Sequence, residues 1–60
     1  MSRAKILVVE DDRSLADVLR YNLAQAGYEV YCAYDGRDAI NQSRVKLPDL
    51  VLLDVMIPVV

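Results

Sequence analysis

The sequence contains no histidine and only one cysteine, Cys32. Without histidine, the chain cannot donate a phosphoryl group from phosphohistidine, and it has neither a His-based metal site nor a histidine-containing catalytic triad. A single cysteine excludes a disulfide within the chain and weakly favours a reducing compartment. We expect Cys32 to be a small apolar residue of the interior rather than a reactive thiol.

Long apolar runs and basic patches are also missing. The opening "MSRAK" is followed by only four apolar residues, unlike a signal peptide. No run approaches the roughly 20 apolar residues of a membrane span. Seven basic and nine acidic residues give a net charge of −2, without the basic stripe that nucleic-acid binding requires. The sequence therefore predicts a cytoplasmic protein that contacts neither membrane nor nucleic acid through this segment.

What is present indicates at most one small domain and fits part of a packed core. The chain has 60 residues, of which 55% are hydrophobic, too many for a disordered tail. A folded chain of this size buries only about 60% of the surface that its unfolded form exposes. A stable monomer is therefore not guaranteed.

The first half of the chain predicts a strand, a helix and a strand. The apolar run in "AKILVVEDD" is typical of a strand that is buried on both faces. Apolar residues at helical spacing predict a helix from about Arg13 to Ala26. Asp12 or Ser14 is its expected N-cap, and Gly27 is a natural left-handed stop. The segment "YEVYCA" predicts the second strand, at residues 28–33.

The second half predicts another helix and another strand. Asp35 is the expected cap of a helix that runs to about Lys46, with Ala39, Ile40 and Ser43 on its inner face. Pro48 ends this segment, and "DLVLLD" predicts a third strand. The βαβαβ alternation indicates an α/β fold with a parallel sheet and helices on its faces.

Acidic residues follow the first and third strands. Glu10, Asp11 and Asp12 come after the first strand, and Asp54 ends the third. In an open parallel sheet, ligands bind at the carboxyl ends of the strands. If these strands are neighbours, the carboxylates converge and favour a hard cation such as Mg²⁺. The simpler alternative for a single acid at a strand end is a helix cap or a solvated rim, and we expect this role for Asp12.

Four segments, "ILVVEDD", "AGYEV", "AYDG" and "PDLVLLDVMIP", together resemble the receiver domain of two-component response regulators, especially receivers that control DNA-binding output domains. The resemblance implies a flavodoxin-like fold in which these three strands have the order 2-1-3. It also implies that residues 1–60 are the N-terminal half of a receiver, without strands 4 and 5 and their helices. The "VV" after Pro58 departs from the family, which usually has glycine there.

The resemblance also implies roles for individual residues. Asp54 matches the phospho-acceptor that takes a phosphoryl group from a histidine kinase. Asp11 matches the direct Mg²⁺ ligand, Glu10 its partner that reaches the metal through water, and the backbone carbonyl of Met56 the third protein ligand. Asp12 has no metal role in the family. A receiver is not an enzyme, apart from self-catalysed phosphorylation and dephosphorylation of its aspartate.

Two alternatives from other classes remain open. One is a Mg²⁺-dependent phosphohydrolase with an aspartyl nucleophile, although such enzymes typically carry a second Asp where this chain has Met56. The other is a purely structural, self-assembling half-domain. The family's Ser or Thr and Lys of the later strands have no counterpart, and Lys46 is predicted at the opposite edge of the sheet. We expect a weakly active chain that forms a homodimer through the open edge of its third strand.

Overall fold

The structure, a computed structural model, describes residues 3–53 of the chain. The elements are β1 (Lys5–Val9), α1 (Arg13–Gln25), β2 (Glu29–Ala33), α2 (Gly36–Lys46) and β3 (Leu50–Leu53). The strands are parallel and have the order β2-β1-β3. This confirms the predicted flavodoxin-like βαβαβ half with strand order 2-1-3.

Local hydrogen bonds set both ends of α1. The Asp12 carboxylate accepts from the backbone amides of Ser14 and Leu15, at 2.9 and 3.2 Å, so Asp12 is the N-cap of this helix. This satisfies donors that have no partner within the helix. Ala26 is the C-cap, and Gly27 then adopts a positive φ of 101°. The predicted cap and the predicted left-handed stop are both confirmed.

The second helix is capped in the same way but ends differently. Asp35 accepts a hydrogen bond from the backbone amide of Asp38 at 2.7 Å, which confirms the predicted N-cap. Asp38 in the first turn and Lys46 in the last complement the helix dipole. The chain leaves α2 through Leu47, whose φ is 51°. A non-glycine residue in this region is strained, because its Cβ approaches neighbouring backbone.

The centre of the fold is β1, whose residues Ile6–Val9 are all buried. On the α2 side, Leu7 and Val9 pack with Ala33, and two half-buried residues, Tyr31 and Ala39, complete this cluster. Burial of β1 on both faces confirms the interpretation of its unbroken apolar run.

On the α1 side of the sheet, the buried residue of the helix is small. Ala16 is buried, and the Cys32 thiol lies 4.0 Å from the Ala16 carbonyl oxygen. Cys32 itself is only partly buried, so its predicted place in the interior is confirmed only in part.

The prediction that Ile40 lies on the inner face of α2 is wrong, because its side chain is 55% exposed. Apart from Gly36 at the start of the helix, the half-buried positions along α2 are Asp38, Ala39, Gln42, Ser43 and Lys46. These positions form a narrow stripe at helical spacing, and Ile40 lies beside it. Among the described residues, no helix is long and apolar enough to cross a membrane.

Candidate functional site

The first carboxylate after β1 is buried and held in place. Glu10 is 3% exposed, and its backbone amide donates to the carbonyl of Ala33 at 3.0 Å, which joins the ends of β1 and β2. Its Oε1 accepts from the backbone amide of Asp12 at 3.1 Å. Hydrogen bonds of this kind reduce the cost of burying a carboxylate and fix its orientation.

The two acids that follow have different environments. The side chain of Asp11 is exposed to solvent at the carboxyl edge of the sheet. Asp12 is also exposed, but its Oδ1 is engaged in capping α1. Three consecutive acidic residues therefore provide one oriented carboxylate, one exposed carboxylate and one helix cap.

The carboxyl end of β3 lies beside the same edge. Val9 pairs with Leu53 in the parallel ladder between β1 and β3, so these two strands end at the same level. Two predicted site residues, Asp54 and Met56, follow Leu53 in sequence and lie outside the described residues. An open groove of about 430 Å³ runs over this junction. It is lined by Val8, Val9, Glu10, Leu15, Leu19, Leu52 and Leu53.

The described residues fit a magnesium site in the type of ligand they offer. Glu10 and Asp11 supply carboxylate oxygens, which are the hard ligands that Mg²⁺ prefers. Within residues 3–53, no group of three or more Cys, Asp or Glu side chains is placed to hold a metal. The predicted ligand set also uses Asp54 and Met56, beyond that range.

A contact that sequence reasoning missed lies on the β2 side of this edge. The Arg13 guanidinium carbon is 4.1 Å from the centre of the Tyr34 ring, a cation–π geometry. Arg13 is the first residue of α1, and Tyr34 directly follows β2. The only signal in the sequence is an arginine after the acidic run and a tyrosine after the second strand. Only the topology pairs them.

Lys46 lies at the amino ends of the strands, on the side of the sheet opposite the acidic residues, as predicted. The Lys5 ammonium, at the start of β1, donates to the Lys46 carbonyl at 3.3 Å. The Lys46 ammonium lies 4.9 Å from the centre of the Tyr31 ring. It therefore provides no positive charge at the acidic end of the sheet.

Cys32, in β2, is not activated as a nucleophile. Burial raises the pKa of its thiol, an effect that Arg20 partly opposes and Asp17 reinforces. Since the thiolate is the reactive form, a raised pKa disfavours nucleophilic chemistry. This agrees with the expectation that Cys32 is not a reactive thiol.

The comparisons with known proteins agree with this geometry. Residues 6–60 match the response regulator receiver domain family. The high-resolution structure of the chemotaxis response regulator CheY4 of Vibrio cholerae superposes with a TM-score of 0.91 at 37% sequence identity, covering 98% of this chain and 49% of that chain. The chain thus spans about half the length of that regulator. A family match over most of the chain, together with the shared fold, shows that the chain belongs to the response regulator receiver family.

Proposed function

We propose that the protein accepts a phosphoryl group from a histidine kinase onto Asp54. In this proposal Asp11, Asp54 and the backbone carbonyl of Met56 hold Mg²⁺ directly, and Glu10 reaches it through water. The protein is then a component of cytoplasmic two-component signalling that regulates transcription, not an enzyme with a turnover substrate. Residues 1–60 form the N-terminal half of its receiver.

The observation that carries this proposal is the common end of β1 and β3. Val9 and Leu53 are paired in register, and each is followed at once by acidic sequence. Asp54 directly follows Leu53 in the sequence, and consecutive Cα atoms are about 3.8 Å apart, so Asp54 is bonded to the end of the paired strand. Glu10, buried and hydrogen-bonded, and Asp11, exposed, begin at the same level on the neighbouring strand.

The chemistry assigns separate tasks to these carboxylates. An oxygen of Asp54 forms the new P–O bond while the P–N bond of the donor breaks, and the donor's imidazole leaves with the bonding electrons. The hydrogen bond from the Asp12 amide holds the Glu10 carboxyl group at one place at the end of β1. Asp11 presents its charge to solvent, where a hydrated cation arrives. Mg²⁺, when bound, neutralises the phosphoryl oxygens and aligns donor and acceptor.

The proposal is tested by incubating the purified chain with a small phosphodonor, with and without Mg²⁺, and measuring its intact mass. We expect the mass of one added phosphoryl group, dependent on Mg²⁺, absent in Asp54→Asn and strongly reduced in Asp11→Asn. Asp35→Asn is the matched control, because it removes a carboxylate at the end of β2 while asparagine still caps α2. This control is expected to react like the unchanged chain.

Two results would contradict the proposal. One is a folded chain that stays unmodified at saturating donor and millimolar Mg²⁺. The other is modification that persists in Asp54→Asn. Steady release of phosphate from a monoester, lost in Asp54→Asn, would instead identify the phosphohydrolase alternative.

We further propose that a chain of these 60 residues forms a homodimer through β3. The four residues of this strand are 36–61% exposed, and all are apolar: Leu50, Val51, Leu52 and Leu53. Within residues 3–53, no helix packs against this strand. An apolar strand with an open edge is a site for pairing with another copy.

Sedimentation over a range of concentrations tests this association. Val51→Lys is expected to shift the chain towards monomer, because it places a charge on the exposed strand. The matched control is Val45→Lys on α2, at a position that is also exposed but lies on another element. A monomer at millimolar concentration, or equal behaviour of both variants, would refute the proposed interface.

A further inference from the structure

Glu10 and Asp11 lie at the carboxyl ends of the strands, which form the acidic edge of the sheet. The cation–π contact places Arg13 on the β2 side of this edge. Its guanidinium lies over Tyr34, which follows β2. The groove that Glu10 lines lies on the other flank, between β1 and β3. Because β1 separates β2 from β3, the positive charge is directed away from the groove.

Arg13 lies over this ring although acidic residues are close in sequence. Asp11 is two positions away and exposed. Within the described residues, however, the ion pair that the structure contains is Arg20 with Asp17, and Arg13 pairs with no acid. An exposed ion pair and an exposed cation–π contact have similar strengths, so a guanidinium without its ring partner would gain about as much from an exposed carboxylate. The dipole of α1 disfavours a cation in the first turn of the helix. The dipole therefore does not explain why the guanidinium lies over Tyr34.

We propose that Tyr34 is a positioning residue that holds the charge of Arg13 on the β2 side of the sheet and so keeps the Asp11 carboxylate available to a divalent cation. The inference rests on the proposed function, because it concerns Mg²⁺ binding at this acidic pair. Without the ring, the Arg13 guanidinium turns to Asp11 and competes with the metal.

Magnesium titrations followed by the backbone NMR signals of residues 10–12 test this inference. Tyr34→Leu is expected to weaken Mg²⁺ binding about threefold, as expected for a competing exposed ion pair. Adding Arg13→Gln to Tyr34→Leu removes the competitor and restores the original affinity or exceeds it. Tyr34→Phe keeps the ring and is expected to bind like the unchanged chain. Molar salt is expected to reduce the effect of Tyr34→Leu, because it screens exposed charges.

Two controls separate charge from folding. Lys46→Met removes the cation over Tyr31 at the opposite edge of the sheet and is expected to leave Mg²⁺ binding unchanged. Arg13→Gln alone leaves the Tyr34 ring in place and is expected to bind Mg²⁺ at least as tightly as the unchanged chain. If Tyr34→Leu does not fold, the ring-current shift of the Arg13 side-chain signals in the unchanged chain still tests the contact, and absence of that shift would overturn the inference.

A metal-free measurement distinguishes failure of this inference from failure of the proposed function. In the unchanged chain, the Tyr34 ring current shifts the side-chain signals of Arg13. In Tyr34→Leu this shift disappears, and the Asp11 carboxyl carbon signal moves in a way that Arg13→Gln reverses. If the unchanged chain bound no Mg²⁺, the proposed metal site would fail, and the Asp11 signal would still decide where Arg13 lies.

Three outcomes overturn the inference. They are Mg²⁺ affinity in Tyr34→Leu equal to that of the unchanged chain, a double variant as weak as Tyr34→Leu, and an Asp11 signal that Tyr34→Leu does not move. The second outcome would mean that the ring acts through packing and not through Arg13.

Discussion

The two strands that flank β1 have the same direction and register but very different surroundings. Both helices pack against β2, and its residues are buried or half-buried. Every residue of β3 is exposed, and in the described part of the chain no helix contacts it. A parallel strand is normally covered by helices on both faces. This chain provides that cover for β2, and residues 3–53 do not provide it for β3.

The two outer edges of the sheet also differ, because a side chain occupies part of the outer edge of β2. The amide of Glu29 and the carbonyl of Ala33 point to β1, so by alternation the carbonyl of Cys32 points to the outer edge of β2. The Gln42 side chain donates to this carbonyl at 2.7 Å. A side chain from α2 thus occupies a position where another strand would otherwise pair.

The difference indicates where the stability of this chain and its proposed site lie. The free energy of folding comes mainly from β1, β2 and the two helices, where apolar surface is buried. The proposed phosphoryl site lies at the junction with the exposed flank. Substitutions on the two sides should therefore separate stability from self-association.

The largest expected effect compares one substitution on two strands. Leu7 in β1 is fully buried, and Leu7→Ala should lower the free energy of unfolding by about 3 kcal/mol. Leu52 in β3 is 36% exposed, and Leu52→Ala should cost about 1 kcal/mol. Chemical denaturation at low protein concentration measures both values. Equal costs would show that β3 is covered in solution, and repeating the measurement at higher concentration would show whether a second copy covers it.

The next effect concerns the attachment of β3 to β1. The backbone amide of Lys5 donates to the Asp49 carboxylate at 2.7 Å, and the amide of Asp49 donates to the Lys5 carbonyl at 2.8 Å. Asp49→Ala removes the first of these bonds and should lower stability by about 1 kcal/mol, since the pair is exposed. Asp49→Asn keeps an acceptor oxygen and should cost less. Identical denaturation midpoints for the two variants would contradict this role of the side chain.

A stabilising substitution is expected where the chain leaves α2 for β3. Leu47 has a left-handed backbone and an exposed side chain, so Leu47→Gly relieves strain and loses little packing. The net gain should be about 0.5 kcal/mol, because relief of about 1–2 kcal/mol is partly offset by the entropy of glycine. Thermal unfolding measures it. Leu47→Ala keeps the strained φ, so a gain of the same size in that variant would refute the explanation.

The smallest expected effect is a pH dependence of the folding stability that comes from Cys32 in β2. Burial raises the pKa of Cys32, so the folded chain holds this proton more tightly than the unfolded chain. The resulting stability is fully present below the unfolded pKa and is lost as pH rises above about 8.5. Unfolding measured at several pH values should show this decline, and Cys32→Ala should lack that part of it. The same slope in both proteins would contradict the assignment.

Much of the fold could be predicted because its signals are local. Asp12 and Asp35 cap helices by hydrogen bonds to amides two or three residues ahead, and Gly27 adopts a positive φ next to a helix end. The predicted element boundaries agree with the structure to within about one residue, except at the end of the third strand, where the predicted last residue, Asp54, lies outside the described residues. The exposure of Ile40 was missed because periodicity shows which residues share a face but not how much of that face is covered.

The candidate site could be predicted only in part, for a physical reason. The sequence by itself determined that acidic residues follow two apolar strands, because an apolar run that ends in carboxylates must end at a polar edge. Only the tertiary structure decided that Glu10 is buried while Asp11 is exposed, that Val9 pairs with Leu53, and that the charge of Arg13 lies over Tyr34. Caps act within one helical turn, whereas burial, strand pairing and cation–π contacts depend on which distant segments the sheet brings together.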